Sequence, residues 1–371
     1  MGRLPIEACN ATTVMMSGRK VLAFGGCNYL GLGYHPVVIG AIAQGLGKYG
    51  VSTTASRETT GNTNTHEALE RELAEFVGQQ GAILTAEGYT ANFAACEALV
   101  PECGVVLIDQ RAHRSIRNAA RGAGMQVFEF EHLNPDSAKW LAKQYADAGV
   151  AIMTDSVFAA DGAVAPLREL LAVLPATRSA LLVDDCHGFC VLGPSGRGAV
   201  AHFGIDDPRV CITTTLAKGL GCYGGAVLGR EGFIRRVRES AAVYRSSTPV
   251  PPAIAEGCRA AVRLLRDDVS MVESLRRNIA LMRDVFDEAE LPKPPEGVPI
   301  FTFTLDSVER MQRVHDQLLA AEILAPLIDY PGGPSPRYFR VVVNAMHSAK
   351  DIERLGRELS KSLANERQAA T

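Results

Sequence analysis

No block of like charge interrupts this 371-residue chain, whose 38 Lys and Arg stand against 41 Asp and Glu for a formal net charge of −3. That balance supplies neither the basic stripe that nucleic acid requires nor a charged interaction tail. No apolar stretch reaches the length of a membrane span, and the opening "MGRLPIEACNATTVMMSGRK" lacks the continuous apolar core of a signal peptide. These absences predict a cytoplasmic protein that touches neither nucleic acid nor membrane. Internal repeats and low-complexity segments are missing too, which excludes solenoids and flexible tethers. Nine cysteines, an odd number at irregular spacing, argue for reduced thiols over a disulfide framework.

With 47% hydrophobic and 21% charged residues, the chain can bury a full core and predicts two domains. From residue 81 to 229 short apolar runs alternate with helical or turn-rich stretches: "GAILTA", "GVVLID", "QVFEF", "VAIMTD", "SALLVDD", "VCITTT" and "GGAVLG". Strands that are apolar throughout and alternate with helices imply an α/β fold with a mostly parallel sheet, covered on both faces. The expected division is an N-terminal arm over 1–45, a large domain over 46–252 closed by "STPVPPA", and a linking helix with a small α+β domain over 253–371. The Pro-rich "LPKPPEGVP" (291–299) reads as a linker.

Four strand ends carry groups that are costly or unusual where they stand. Lys218, in "TTTLAKGLG", follows an interior strand ending near Thr215, at the carboxyl edge where open α/β sheets place ligands. Asp184 closes the apolar "SALLVD" with His187 three residues on, and an acid there implies a cation or hydrogen-bond donor as partner. Gly88, in "GAILTAEGYTANFAA", passes from a strand into a helix whose free N–H groups suit a phosphate. His113 follows a third strand in "VLIDQRAHRS". Taken singly, each admits a plainer reading: a solvated lysine, a helix cap, a turn glycine, a satisfied loop histidine. Together they match what pyridoxal phosphate needs: an amine for its aldehyde, an acid for its ring nitrogen, an anion cradle and a flat group against the ring. The trio Cys186, His187 and Cys190 in "CHGFC" has no second ligand pair at zinc-like spacing, so no metal is expected.

From about residue 19 to 360 the chain also resembles the α-oxoamine synthases, pyridoxal phosphate enzymes of the aspartate-aminotransferase-like fold with a smaller α+β C-terminal domain. The resemblance rests on the order of "NYLGLGYHP", "SRETTGNTNTHEALERELAEFVG", "EGYTAN", "DGAVAPL", "VDDCHGFCVLGPSGRG", "TTLAKGLGCYGG" and "STPVPP". It implies that Lys218 bonds the cofactor, Asp184 pairs with the pyridine nitrogen, His187 bonds the ring's phenolic oxygen and His113 stacks on the ring. It assigns the phosphate to the backbone at Gly88 and Tyr89 with the Thr215 side chain. It implies a homodimer in which Thr248 reaches the phosphate of the neighbouring subunit, and makes Arg340, in "YFRVVVN", the group that binds the amino acid's carboxylate. The implied reaction condenses an α-amino acid with an acyl thioester, carried by coenzyme A or a carrier protein, with loss of CO2, to give an α-amino ketone.

Departures from the family pattern gather near the substrate. Cys27 replaces an asparagine that helps hold the carboxylate, Asp155 and Ala159 replace a glutamate and a serine, Arg114 replaces a small residue, and Ala217 precedes the lysine. They leave open acyl transfer without decarboxylation, another carbanion reaction, and a non-catalytic partner subunit.

Overall fold

The computed structural model describes residues 5–368. Fourteen strands are found among them: β1 (Ala8–Cys9), β2 (Thr13–Met16), β3 (Arg19–Ala23), β4 (Gly81–Thr85), β5 (Val105–Asp109), β6 (Gln126–Phe130), β7 (Val150–Asp155), β8 (Ser179–Asp184), β9 (Val210–Thr215), β10 (Gly225–Gly229), β11 (Ile300–Phe303), β12 (Ile323–Leu324), β13 (Leu327–Ile328) and β14 (Tyr338–Val342). All seven apolar runs of the sequence are strands, and they form one sheet in the order β4-β10-β9-β8-β7-β5-β6. Strands β5 to β9 pair in parallel, whereas β10 runs antiparallel to both β4 and β9. Every residue of β5, β7, β8, β9 and β10 is buried, as continuous apolar runs require. The edge strand β6, "QVFEF", alternates polar and apolar residues and is partly exposed.

One local device ends three of these strands at the same edge. Asp109 Oδ1 accepts from Arg111 N (2.8 Å), Asp184 Oδ1 from Cys186 N (3.1 Å) and Thr215 Oγ1 from Ala217 N (3.2 Å). Each side chain bonds the backbone two residues on, turning the chain sharply out of the sheet. Functional side chains thereby gather along the carboxyl edge.

Packing divides the chain into two units. One comprises residues 35–158 and 164–269, the other 5–34, 159–163 and 270–368. These bounds differ from the compositional ones. In the first unit, the proline-rich stretch near 250 does not end the domain but starts a helix, Pro252–Asp267, with Pro at its first turn. That helix packs on Pro36–Tyr49, where a Cβ at Gly45 would lie 2.7 Å from Ala253 Cα. In the second unit, β3 pairs in parallel with β12 through Leu22↔Ile323, so the N-terminal segment belongs to its sheet β1-β2-β3-β12. Residues 291–299 connect the helix Ser270–Glu288 to β11 within this same unit. Its second sheet, β11-β14-β13, is built on stacked aromatics, with Phe303 and Phe339 centroids 4.5 Å apart and Phe286 and Phe301 4.8 Å apart.

Candidate active site

The ends of β7, β8 and β9 place Asp155, Asp184 and Thr213 side by side, because the parallel register pairs Asp155 with Asp184 and Asp184 with Thr213. Beyond them opens a cavity of about 270 Å³ within the first unit, lined by Gly88, Tyr89, His113, Asp184, His187, Thr215 and Lys218 among others. Residues up to 130 positions apart in the chain thus converge on one edge of the sheet. Thr248 is exposed, between the helices Ala242–Arg245 and Pro252–Asp267, and is not among the residues lining that cavity.

Lys218 Nζ stands 2.8 Å from His187 Nε2. Asp184 is 3% exposed, and both its oxygens accept: Oδ1 from Cys186 N and Oδ2 from Asn92 Nδ2 at 2.8 Å. Two donors on one buried carboxylate offset much of the cost of its desolvation. The neighbouring acid behaves otherwise. Burial, then the adjacent charge of Asp184, pushes the Asp155 carboxyl well above the usual carboxylate range, though its Oδ2 accepts from His113 N at 2.7 Å. Through that bond Asp155 anchors the turn that carries His113. Burial lowers the basicity of His113. Tyr89 sets its ring edge-on to His113 and takes a hydrogen bond from Asn118 Nδ2 (2.6 Å).

Gly88 opens the helix Gly88–Leu99 so close to β9 that a Cβ there would lie 2.7 Å from Thr215 Cβ. A Cβ at Gly225 would lie 2.3 Å from Glu87 O. Gly88 and Tyr89, the first two residues of that helix, line the cavity, and a helix start favours an anion. The donor set fits pyridoxal phosphate: a primary amine, a carboxylate with two fixed donors, an imidazole and a helix start whose backbone leaves no room for a side chain. Lys218, Asp184, His113, His187, Gly88, Tyr89 and Thr215 would hold it. Among the described residues no group of three or more His, Cys, Asp or Glu is arranged to hold a metal ion. Nor is any described helix long and apolar enough to cross a membrane.

Arg340 and Cys27 lie in the second unit, where they meet each other. Arg340 sits on β14 opposite Thr302, its Nε donates to Ala159 O (2.7 Å), and its Nη2 is 3.9 Å from Cys27 Sγ. Tyr29, fully buried, completes the cluster, and burial with the nearby thiol pushes its phenol upward. Because Ala159 contributes its carbonyl, the loss of a serine side chain there leaves this contact intact. Arg114 is exposed at the first turn of the helix Arg114–Gly122.

Three residues at the site carried no role in the sequence reading: Asn92, Ser115 and Thr213. Thr213 Oγ1 donates to Asn92 Oδ1 (2.7 Å), Asn92 Nδ2 also reaches Ser115 Oγ (2.9 Å), and Ser115 Oγ lies 2.7 Å from His113 Nδ1. The one available signal was Asn92, the polar residue in the otherwise apolar run "ANFAAC" of the helix Gly88–Leu99.

Comparison with known proteins agrees with this geometry. The family model described as "Aminotransferase class I and II" matches residues 19–359. The 8-amino-7-oxononanoate synthase of Thioalkalivibrio sulfidiphilus is 34% identical over 364 residues, covering 97% of this chain and 93% of that protein. Among solved structures, a serine palmitoyltransferase of Sphingomonas wittichii superposes with a TM-score of 0.90 at 24% identity, covering 97% of this chain and 91% of its own. An 8-amino-7-oxononanoate synthase of Francisella tularensis does so at 0.79 and 24%, covering 93% and 98%. At such identities the two structures speak for the fold.

Proposed function

The chain belongs to the class I and II aminotransferase family and, within it, to the α-oxoamine synthases, and on that premise we propose that the residues gathered at the carboxyl edge of the sheet carry a decarboxylative condensation. It is a pyridoxal phosphate-dependent acyltransferase that joins an α-amino acid to an acyl thioester. The observation that carries the residue assignment is the placing of Lys218 and Asp184 on adjacent strand ends around one cavity with the start of the helix Gly88–Leu99.

Pyridoxal phosphate supplies an aldehyde that takes up amines and a ring that accepts electrons. Lys218 Nζ, once free of the cofactor, takes the Cα proton of the amino acid and returns one at the end. Asp184 would hold a proton on the ring nitrogen, which would make the ring a stronger electron acceptor. His113 would cover one ring face, His187 would donate toward the ring oxygen, and the Gly88 helix start with Tyr89 N–H and Thr215 Oγ1 would anchor the phosphate. Arg340 receives the carboxylate. Cα bonds to the thioester carbonyl, the thiol leaves, and the carboxyl carbon leaves as CO2.

The working form is a homodimer in the cytoplasm. An exposed apolar face on the first unit supports it, where Val37, Ile39 and Leu46 of the helix Pro36–Tyr49 and Val51 beyond it are 44–77% exposed. The exposed Thr248 would reach the phosphate site of the second copy. An amino acid labelled at C1 tests the reaction: label released as CO2 in step with free thiol supports it. Thiol release with all label kept in product would reject the decarboxylation, and no thiol release would reject acyl transfer.

A further inference from the structure

The polar chain behind Asp184 can be followed hydrogen by hydrogen from the carboxylate to the His113 ring. A carboxylate oxygen can only accept, so the group of Asn92 that lies 2.8 Å from Asp184 Oδ2 is its amide nitrogen. The amide oxygen then faces Thr213 Oγ1 at 2.7 Å and accepts from it. The second Asn92 N–H points to Ser115 Oγ at 2.9 Å and occupies the acceptor side of that hydroxyl. Ser115 N–H donates to His113 Nδ1 at 3.3 Å, which makes that nitrogen an acceptor, and the Ser115 hydroxyl at 2.7 Å then donates to it as well. Two donors converge on Nδ1, so this nitrogen carries a lone pair and the ring proton resides on Nε2.

We propose that Asn92 is a positioning residue: acting through Ser115, it holds His113 as the neutral Nε2–H tautomer, and from the same amide nitrogen it grips Asp184. Asn92, Ser115 and Thr213 are each 0–1% exposed, so no water competes for these bonds. The arrangement joins the two groups that flank the cofactor, the acid at its ring nitrogen and the imidazole on its face. Protonating His113 would set Nδ1–H against the Ser115 N–H and reverse the bond between Ser115 Oγ and the ring. The charged groups facing His113 are Asp184 on β8, Asp155 on β7, Lys218 after β9 and Arg114 on its own helix. Burial acts in the same direction as the chain by disfavouring the cation.

The meaning of the coupling for catalysis rests on the cofactor reading above, whereas the tautomer does not. Nitrogen-15 NMR of histidine-labelled protein, with and without pyridoxal phosphate, separates the two. His113 in the native chain should show a protonated Nε2 and a bare Nδ1 through the range around pH 6.5 where free imidazole titrates. Ser115→Ala, which deletes one oxygen, and Asn92→Ala should each admit the Nδ1–H form and raise the apparent pKa of His113 by about one unit. Ser115→Thr keeps the hydroxyl and should keep the native pattern. Nδ1–H in the native protein, or an unchanged pattern in both alanine variants, overturns the proposal. A native Nε2–H pattern lost in either alanine variant supports it even if pyridoxal phosphate fails to bind, a failure that would count against the cofactor reading alone.

Discussion

Asp184 and Asp185 are neighbours in the chain, equally buried at 3% and 1%, and they face opposite ways. Asp184 points into the cavity, where Asn92 Nδ2 and Cys186 N serve its two oxygens. Asp185 points into the loop behind, where its Oδ2 accepts from Ala199 N at 3.0 Å. There the backbone closes around it so tightly that a Cβ at Gly188 would lie 2.1 Å from Oδ1 and one at Gly198 2.0 Å from Oδ2. Burial pushes the Asp185 carboxyl up to about 7, with the Ser156 hydroxyl and Ala199 N–H pulling it only partly back. Position in the sequence therefore does not assign a carboxyl its work. The supply of donors and the presence of a cavity do: one acid faces the cavity, the other pins the loop that carries His187.

Replacing both acids in turn sharpens this contrast. Asp184→Asn should still bind pyridoxal phosphate but lose about a hundredfold or more in turnover, since a neutral partner no longer favours the protonated ring nitrogen. Near-native turnover in a steady-state assay would make Asp184 a structural cap like its neighbour. Gly88→Ala should come next: its Cβ meets Thr215 Cβ at 2.7 Å, overpacking of this kind costs about 1–3 kcal/mol, and cofactor affinity should fall about tenfold by fluorescence titration.

Asp185→Asn should leave turnover much less affected and instead change how stability depends on pH. A carboxyl raised in the folded state favours folding most at pH values below its unfolded value of 3.8, and that contribution is lost as pH rises toward about 7. Asparagine cannot ionise. The melting temperature of the variant minus that of the native protein should therefore climb by several degrees between about pH 4 and 7 and level off above. A difference independent of pH would show that Asp185 titrates as an ordinary surface acid. The smallest effect is expected at Cys27→Asn, which restores an amide beside Arg340: a few-fold change in KM for the amino acid, with cofactor absorbance unchanged. A lost cofactor spectrum would mean that Cys27 supports the fold of its unit.

Much of this was legible in the chain because the signals are local. The seven apolar runs are seven strands, five of them buried throughout, and Lys218, Asp184, Gly88 and His113 stand where strand ends meet turns. Asn92, Ser115 and Thr213 were not legible, since Asn92 lies 92 positions from Asp184 and 121 from Thr213, and no local pattern encodes such partners. The strands β1 to β3 escaped because they are only two to five residues long, and β3 joins its sheet partner β12 some 300 positions on. Asp184 was singled out as the acid that closes the apolar strand and given its role by family resemblance, because strand alternation separates it from Asp185 without saying which face is which.

The most direct test of the central claim is to reduce the cofactor-loaded protein with borohydride and map the labelled peptide. Label on Lys218 alone, the lysine 2.8 Å from His187, is the predicted result; label on another lysine, or none, would contradict the account.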